Sequence, residues 1–460
     1  MTLTANLGSR LADVIGAHNV VSAPEELTAH SVDGIVPQVI ACPASAEQVV
    51  EVVRFALAEK LAVQAFGSRS KCEMGMTPSA CDISLDMTHL RQVTHYDAGD
   101  LTLSVDAGLP LRELADFLEQ HGQFLPLAVP CFESTTAGGA VVSGIDSALR
   151  QQYGSVRDFL IGAEFVDGTG HLCRSGGRVV KNVTGYDLHK MLIGSLGTLG
   201  IITRVNFRTF PLPAASGACF AAFADSQGAL AFRAAIELKG LPVADLEILS
   251  PAAAEILRAI LERTQASVSN WLPRDMWGVY CSYEGNQPVV TRVGEELERS
   301  ANENGARACS MLPKSADEPI GGMLREAYEW LRWASPATVL HRIAVPQVTS
   351  AILEELQQIA DTMHLRSSLL LRAGAVLYFA VFADSDNEQG WNALADTSVK
   401  VRKLAGANRG HSTILHAPLA VKKRVASSRV ALPDEPLQQR LKQAFDPANL
   451  FAPGRIVGGI

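Results

Sequence analysis

The chain has 460 residues, 47% of them apolar and 19% charged, a composition typical of a globular protein with more than one domain. Its net charge is −8 and it contains no block of lysine and arginine, which argues against nucleic acid as a partner. The longest apolar run, 373–383, is too short to cross a bilayer, and the first ten residues lack the pattern of a secretion signal. These features predict a cytoplasmic protein of two or three structural domains without a membrane span.

Eight cysteines are spread along the chain, and the two closest, Cys72 and Cys81, are nine positions apart. Iron–sulfur clusters need locally spaced ligands such as Cys-x-x-Cys. The spacing therefore predicts separate thiols in a reducing compartment, so that any iron–sulfur chemistry would come from another chain.

The first glycine and hydroxyl segment follows a predicted β-α-β unit. The capping box Ser45-x-x-Gln48 predicts the start of a helix, and 61–66 has the pattern of a buried strand. The loop 67–71, Gly-Ser-Arg-Ser-Lys, comes at the carboxyl end of that strand, where open α/β sheets bind ligands. A half-exposed strand is expected further on, at 101–105, because apolar and hydroxyl residues alternate there.

Two more segments of the same kind come next. Ser134–Gly139 is one, and Ser195–Gly200 is the other, running directly into a predicted strand over 201–207. Backbone N–H groups in such turns bind anions such as pyrophosphate, although a glycine-rich packing corner between strand and helix has the same pattern. Asp187 is expected to cap a short helix that ends at Gly194.

The residues 176–188, GGRVVKNVTGYDL, together with 194–203, GSLGTLGIIT, resemble the FAD-binding domain of the vanillyl-alcohol-oxidase type of flavoproteins. Within that superfamily they are most similar to the small FAD-binding subunit of bacterial glycolate oxidases (glycolate dehydrogenases). The resemblance implies an α+β fold, with a two-subdomain FAD-binding domain over 1–213 and an α+β cap domain with an antiparallel sheet over 214–415. Residues 416–460 are expected to return to the FAD-binding domain.

The resemblance also implies FAD as cofactor. Residues 64–75 contain no histidine, so the flavin is expected to be non-covalent. Lys181 is expected to place positive charge near the flavin ring, with a solvated loop lysine as the alternative. The residues expected to bind the cofactor are Gly67, Ser68, Arg69, Ser70, Thr135, Thr136, Gly138, Gly139, Tyr153, Gly154, Asp158, Lys181, Gly185, Ser195, Gly197, Thr198, Gly200, Ile201 and Ile202.

The catalytic residues are not defined by the sequence. Arg342 and Arg372 each lie in an apolar stretch, where an arginine needs either an acidic partner or a substrate carboxylate. His411 and His416 are five positions apart, which in a strand puts them on opposite faces, and no acidic residue lies beside them. No metal is therefore expected. Cys131 is interpreted as a buried structural thiol and not as a site of flavin attachment.

Three functions follow from the resemblance. The first is an FAD-binding subunit of a glycolate oxidase complex, which oxidises a 2-hydroxy acid and passes electrons to a larger FAD-linked subunit and an iron–sulfur subunit. The second is a self-sufficient FAD-linked dehydrogenase of D-lactate or another 2-hydroxy acid. The third is a non-catalytic scaffold with the same fold. In the first case any association with a membrane would arise through the partner subunits.

Overall fold

The computed structural model describes residues 2–179, 185–264, 266–427 and 435–456. The helices of the first 213 residues are α1 (Thr2–Ile15), α2 (Pro24–Ala29), α3 (Ala46–Glu59), α4 (Leu111–Glu119), α5 (Ala137–Ser143), α6 (Arg150–Tyr153) and α7 (Val156–Phe159). The strands are β1 (Val20–Val21), β2 (Val39–Ala41), β3 (Val63–Phe66), β4 (Ile83–Asp86), β5 (Val93–Asp97), β6 (Thr102–Asp106), β7 (Gln123–Phe124), β8 (Leu160–Val166), β9 (Leu172–Gly176), β10 (Ile201–Arg208) and β11 (Phe210–Pro211).

The first subdomain is a small sheet with strand order β1-β2-β4-β3, in which β2, β4 and β3 are parallel. Its helix α3 begins at Ser45, whose hydroxyl accepts a hydrogen bond from the backbone N–H of Gln48 at 3.3 Å, as the capping box predicted. Val49, Val52 and Val53 lie on one face of α3 and pack against the sheet. This packing fixes the carboxyl end of β3, from which the loop 67–71 leaves.

The second subdomain is an antiparallel sheet with strand order β5-β6-β10-β8-β9. Its core contains Leu103 and Val105 of β6 together with Val205 and Phe207 of β10. The prediction that the strand near 101–105 is half exposed was wrong. Strand β6 lies between β5 and β10, and its hydroxyl residues are buried along with its apolar ones.

The remaining residues form the cap domain and the C-terminal segment. Their helices are α8 (Ser226–Lys239), α9 (Pro251–Thr264), α10 (Ala266–Ser269), α11 (Gln287–Glu303), α12 (Lys314–Arg325), α13 (Ala327–Arg332), α14 (Ser350–Thr362), α15 (Glu388–Ala407), α16 (Leu419–Ser427) and α17 (Glu435–Phe445). The strands are β12 (Ala215–Phe223), β13 (Val243–Leu249), β14 (Trp277–Gly285), β15 (Ala308–Leu312), β16 (Ala337–Ala344), β17 (Arg366–Arg372), β18 (Val376–Ala383) and β19 (His411–His416).

The cap is built on one antiparallel sheet with strand order β15-β12-β14-β13-β17-β18-β16-β19. Its two faces bury separate clusters, because alternate residues of each strand point to opposite sides. Val279 and Cys281 pack with α8, α11, α14 and α15, whereas Tyr280 packs with α9, α12 and α13. The expected fold class, an FAD-binding domain followed by an α+β cap with an antiparallel sheet, is confirmed.

The prediction of a helix cap at Asp187 was wrong, and a second irregularity separates α12 from α13. Glu326 leaves helical geometry (φ −87°, ψ 20°) between these two helices. Its carboxylate instead accepts a hydrogen bond from the backbone N–H of Cys131 at 2.7 Å. Asp187 does not cap the short 3₁₀ helix Leu188–Met191; its carboxylate pairs with Lys190 at 3.0 Å.

The chain ends against the first subdomain. The backbone N–H of Val63 donates to Leu450 O at 2.8 Å, and that of Ala452 donates to Val63 O at 2.9 Å. Lys442 is buried and donates to Thr198 O and Phe451 O, both at 2.8 Å. None of the described helices is both long and apolar enough to cross a membrane.

Candidate functional site

A pocket opens at the carboxyl end of β3. Four separate parts of the chain line it: the loop after β3, helix α5 with the residue before it, the turn at Leu196, and the C-terminal segment. Its principal residues are Gly67, Ser68, Arg69, Ser70, Lys71, Thr136, Gly139, Leu196 and Arg455. The pocket therefore joins the first two glycine and hydroxyl segments predicted from the sequence.

The first two segments touch each other through Gly67 and Thr136. A Cβ atom on Gly67 would lie 2.2 Å from the Thr136 Oγ1 atom, so only glycine allows this approach. The Thr136 hydroxyl also caps α5 by accepting a hydrogen bond from the backbone N–H of Gly139 at 3.2 Å. A Cβ atom on Gly139 would lie 2.9 Å from the same oxygen. The packing of these residues leaves backbone exposed to the pocket.

The pocket wall contains buried polar atoms without a protein partner. Among the described residues, Arg69 Nε, Arg455 Nε and Gln64 Oε1 have no hydrogen-bond partner, and all three residues line the pocket. Buried polar groups are normally hydrogen-bonded, so unpartnered atoms in a pocket wall are suited to contact a ligand. Two guanidinium groups beside serine and threonine hydroxyls form a donor set suited to a pyrophosphate. These residues fit the phosphate portion of FAD.

The third segment, Ser195–Gly200, lies beside the pocket, and one of its residues contributes to the pocket wall. Leu196 lines the pocket and has a positive φ of 52°, while the next residue, Gly197, has φ 76°. The Ser195 hydroxyl donates to Leu192 O and the Thr198 hydroxyl donates to Ser195 O, each at 2.8 Å. Gly200, Ile201 and Ile202 follow at the start of β10, the last two buried in the core. The structure thus gives most of this segment a supporting position.

Other predicted cofactor residues lie outside the pocket. Tyr153 donates its hydroxyl hydrogen to the carboxylate of Glu284 in the cap domain. Asp158 accepts from the backbone N–H and hydroxyl of Ser155 at 2.7 and 3.0 Å, forming a capping box. A Cβ atom on Gly154 would lie 2.5 Å from Asp158 Oδ2. Gly138 packs on Ala107, Gly185 is exposed, and Lys181 lies outside the described residues.

Lys71 is a site residue that the sequence analysis did not select for cofactor binding. Its ammonium group donates to the Thr135 hydroxyl, and to the Ser70 hydroxyl at 3.4 Å. Burial lowers the pKa of Lys71 to about 8, although the nearby Cys131, Glu326 and Glu329 oppose the shift. An amine with this pKa can hold or release a proton near neutral pH. The signal in the sequence was a lysine directly after the predicted phosphate loop.

Cys131 is half-buried and not fully buried as the sequence analysis expected, and its contacts are with protein groups. Its thiol donates a hydrogen bond to the Glu329 carboxylate at 2.9 Å. Burial and this hydrogen bond raise the pKa of Cys131 to about 12, which keeps the sulfur protonated and unreactive. The contact also joins the loop before α5 to helix α13 of the cap.

A second ionic contact between the domains surrounds Glu73. Its carboxylate lies 3.4 Å from Nδ1 of His416 and 3.4 Å from a nitrogen of Arg332. Lys422 donates to Glu73 O at 2.7 Å and pairs with Asp33 at 2.8 Å. The nearby His416 ring lowers the pKa of Glu73, and the Arg332 and Lys422 charges act in the same direction. These pairs fix the first loop against the cap.

The two candidate catalytic arginines are both paired within the protein. Arg372 is 1% exposed, and its Nε donates to the Glu247 carboxylate at 2.6 Å. Arg342 donates from Nε to the Asp146 carboxylate at 2.6 Å. Both arginines therefore form the ion pairs with acidic side chains that the sequence analysis gave as one alternative. Their role as substrate ligands remains a prediction.

Beside Arg372 lies a second buried carboxyl. Asp245, two residues before Glu247 on β13, points to the same side of the sheet. Burial raises the pKa of Asp245 to about 7, against the attraction of Arg372. One of the two neighbouring carboxyl groups therefore carries a proton at acidic pH.

The two histidines of β19 lie apart. His411 is exposed at the start of the strand, and His416 is buried at its end, beside Glu73 and 5.6 Å from the Trp333 ring. A register shift between Leu340 and His341 of the neighbouring strand β16 interrupts the regular pairing between them. Across the part of the chain that the structure describes, no three histidine, cysteine or acidic side chains are placed to hold a metal ion.

The fold and the pocket define a two-domain flavoprotein. Residues 37–176 match the FAD binding domain model, and residues 212–456 match the model of the C-terminal domain of FAD linked oxidases. The second match covers more than half of the 460 residues. The chain belongs to the FAD-linked oxidases, and the expectations of this resemblance and of FAD as cofactor are confirmed.

Individual relatives agree with this family. The chain is 36% identical to the glycolate oxidase subunit GlcE of Escherichia coli (strain K12) over 171 residues, 37% of this chain and 48% of that protein. It is 24% identical to the glycolate oxidase subunit GlcD of Bacillus subtilis (strain 168) over 471 aligned positions, 99% of this chain and 97% of that protein. The alignment with the first relative thus spans about half of its length.

A solved structure shows the same fold over both domains. The 4-ethylphenol oxidase of Gulosibacter chungangensis superimposes with a TM-score of 0.77 at 15% identity, covering 99% of this chain and 98% of that one. At this identity the likeness concerns the fold alone.

Proposed function

We propose that this chain is an FAD-binding subunit of a glycolate oxidase complex that oxidises a 2-hydroxy acid, glycolate, to the 2-oxo acid, glyoxylate. The observation that carries the proposal is the pocket after β3, whose unpartnered arginine donors suit the pyrophosphate of FAD. The similarity to GlcE and GlcD supports the substrate class and the role as a subunit. A cytoplasmic location belongs to the same proposal.

The residues of this chain hold and orient the cofactor in this proposal. Bound FAD would supply the two-electron acceptor for the substrate. Gly67, Gly139 and the hydroxyl groups around them bring backbone and side-chain donors close to the phosphates. Lys71 holds a proton beside Thr135, at the end of the pocket nearest the cap. We assign it the role of a cation beside the flavin, which the sequence analysis gave to Lys181.

The pairing of Arg372 favours a subunit role over a self-sufficient enzyme. Binding a substrate carboxylate requires a guanidinium that is available to it. The Nε atom of Arg372 is bound to Glu247, and its two terminal nitrogens donate to Asp146 O and Leu324 O at 2.7 and 2.9 Å. A larger FAD-linked subunit would supply substrate-binding groups, and an iron–sulfur subunit would accept the electrons.

A second candidate is a self-sufficient FAD-linked D-lactate or 2-hydroxy-acid dehydrogenase. Arg342 favours it, because this residue is 18% exposed in its side chain and lies beside a second arginine, Arg150, on the same Asp146 carboxylate. Two guanidinium groups that share one carboxylate leave positive charge for a substrate anion. A scaffold without cofactor is disfavoured by the unpartnered donors of the pocket.

Steady-state assays of the flavin-loaded chain with a dye acceptor test the proposal. We expect slow or no turnover of glycolate and D-lactate by the isolated chain, and activity after addition of the larger FAD-linked subunit and the iron–sulfur subunit. Turnover of about 1 per second or faster by the isolated chain would overturn the subunit role and establish the self-sufficient dehydrogenase. A colourless preparation that binds no added FAD would establish the scaffold.

A further inference from the structure

Arg455, in the C-terminal segment, is part of the pocket wall and was not selected by the sequence analysis. It is 3% exposed, although its guanidinium is charged at all ordinary pH values. Its two terminal nitrogens donate to Met76 O at 3.1 Å and to Cys72 O at 2.7 Å. These bonds hold the side chain against the loop that follows the first glycine segment.

The third nitrogen of Arg455, Nε, is buried and has no hydrogen-bond partner among the described residues. The same is true of Nε of Arg69, in the loop after β3. Both residues line the same pocket as the Ser68 and Ser70 hydroxyls and the backbone of Gly67. A buried guanidinium with one unused donor beside a second cation requires an anion.

The groups around Arg455 leave this positive charge only partly neutralised. Burial lowers the pKa of Arg455, and Asp33 is the strongest opposing charge. Asp33, however, is already paired with Lys422 at 2.8 Å. Arg69 and Arg455 therefore place an excess of positive charge in the pocket wall, and a pyrophosphate group carries two negative charges.

The backbone of the C-terminal segment fixes Arg455 in this position. Met76 donates from its backbone N–H to Arg455 O at 2.8 Å, and Ser79 donates to Pro453 O at 2.7 Å. A Cβ atom on Gly75 would lie 2.7 Å from Arg455 O, so the two segments touch through backbone. The residue is thus presented by main-chain pairing and does not depend on the conformation of a flexible tail.

From these contacts we infer that Arg455 is a pyrophosphate ligand of FAD, so that the C-terminal segment completes the cofactor site opposite Arg69. The loop 67–71 and Gly139 would contact the phosphates together with the arginine. The inference concerns cofactor binding and is independent of which 2-hydroxy acid is oxidised and of any partner subunit.

The test is titration of the deflavinated full-length protein with FAD, ADP and riboflavin. Replacing Arg455 by glutamine should raise the Kd for FAD and for ADP by about 10- to 100-fold, the range expected for a lost hydrogen bond to a charged group. The Kd for riboflavin, which has no phosphate, should stay unchanged. Arg455→Lys, which keeps the charge, should lose less affinity than Arg455→Gln and retain more of the wild-type salt dependence.

Arg174→Gln is the matched control, because Arg174 is 76% exposed in its side chain and pairs with Glu164 away from the pocket. It should bind FAD as the wild type does. An FAD Kd within threefold of wild type for Arg455→Gln would overturn the inference. Equal weakening of FAD and riboflavin would also overturn it, because Arg455 would then act only by holding the loop.

Hydrogen exchange of the wild-type protein gives an answer that does not depend on the folding of a variant. Saturating ADP should slow amide exchange in both 67–76 and 450–456 if the ligand binds between them. Protection of 67–76 alone would exclude the C-terminal segment from the site.

Discussion

Replacement of Glu247 by glutamine should destabilise the cap domain strongly. Glu247 is 0% exposed and accepts a hydrogen bond at 2.6 Å from Nε of Arg372, which is itself 1% exposed. Glutamine preserves the size of the side chain and removes its charge. Arginine cannot lose its proton within a protein. Burial raises the pKa of both Glu247 and Asp245, so the two carboxyls share negative charge beside Arg372, and the variant removes the one that is hydrogen-bonded to it.

The size of the effect follows from the burial of the pair. Removing one partner of a buried ion pair costs about 3–5 kcal/mol, whereas a solvent-exposed pair contributes about 0–1 kcal/mol. The control is Glu237→Gln in the same domain. Glu237 is 43% exposed in its side chain and pairs with Nε of Arg233 at 2.9 Å. The two variants therefore remove the same chemical interaction at two levels of burial.

Urea unfolding followed by tryptophan fluorescence measures both variants. All five tryptophans lie beyond residue 213, so their fluorescence reports on the cap domain and the C-terminal segment. At pH 6 the loss for Glu247→Gln should exceed that for Glu237→Gln by about 2 kcal/mol or more. At pH 8 the loss should shrink, because Asp245 can then ionise beside Arg372. Equal losses for the two variants would refute the buried-pair reasoning.

Three further predictions concern pH, the pocket and the cofactor. Burial raises the pKa of Asp245 in the folded protein above its unfolded value, so its contribution to stability is present at low pH and is lost as pH rises through about 7. Asp245→Asn should make the urea midpoint depend less on pH between pH 5 and 8. An unchanged pH dependence would exclude Asp245 as its source. Gly67→Val should abolish FAD retention, measured as the ratio of absorbance at about 450 and 280 nm, because its Cβ would lie 2.2 Å from Thr136 Oγ1. The control Gly99→Val, whose nearest neighbour is Asp97 Oδ1 at 3.5 Å, should retain FAD. Normal flavin content in Gly67→Val would show that this contact is not part of the site. Acid precipitation should release FAD into the supernatant, and flavin left on the washed pellet would show covalent attachment.

Much of the architecture could be predicted because it depends on local patterns. The capping box at Ser45 and the apolar face of the helix that follows are set by residues within two turns. Strands β17 and β18 pair with each other across a short turn, so their contact also joins residues that are close in the sequence. The exposure of β6 was predicted wrongly because the alternation of apolar and hydroxyl residues describes the side chains of one strand. It does not show which strands lie beside it in the sheet.

The site was predicted in part, for a related reason. Gly67, Arg69 and Thr136 share a pocket, and each belongs to a short segment with its own glycine signature. Arg455 is 386 positions away from Arg69 (455 − 69 = 386), so no local pattern links the two residues. The pairing of Arg372 with Glu247 likewise joins β17 to β13 across 125 positions. Such contacts depend on sheet order, which periodicity does not determine.

The pairing of β3 with 450–452 has a consequence for biosynthesis. The hydrogen bonds between Val63 and residues Leu450 and Ala452 cannot form until residue 452 has left the ribosome. The first subdomain, although it is made early, keeps an unpaired strand edge while the cap is translated and folds. Contacts of such long sequence separation form slowly. Cofactor capture is therefore expected to follow synthesis of the cap, and a variant truncated before residue 450 should expose an edge prone to aggregation.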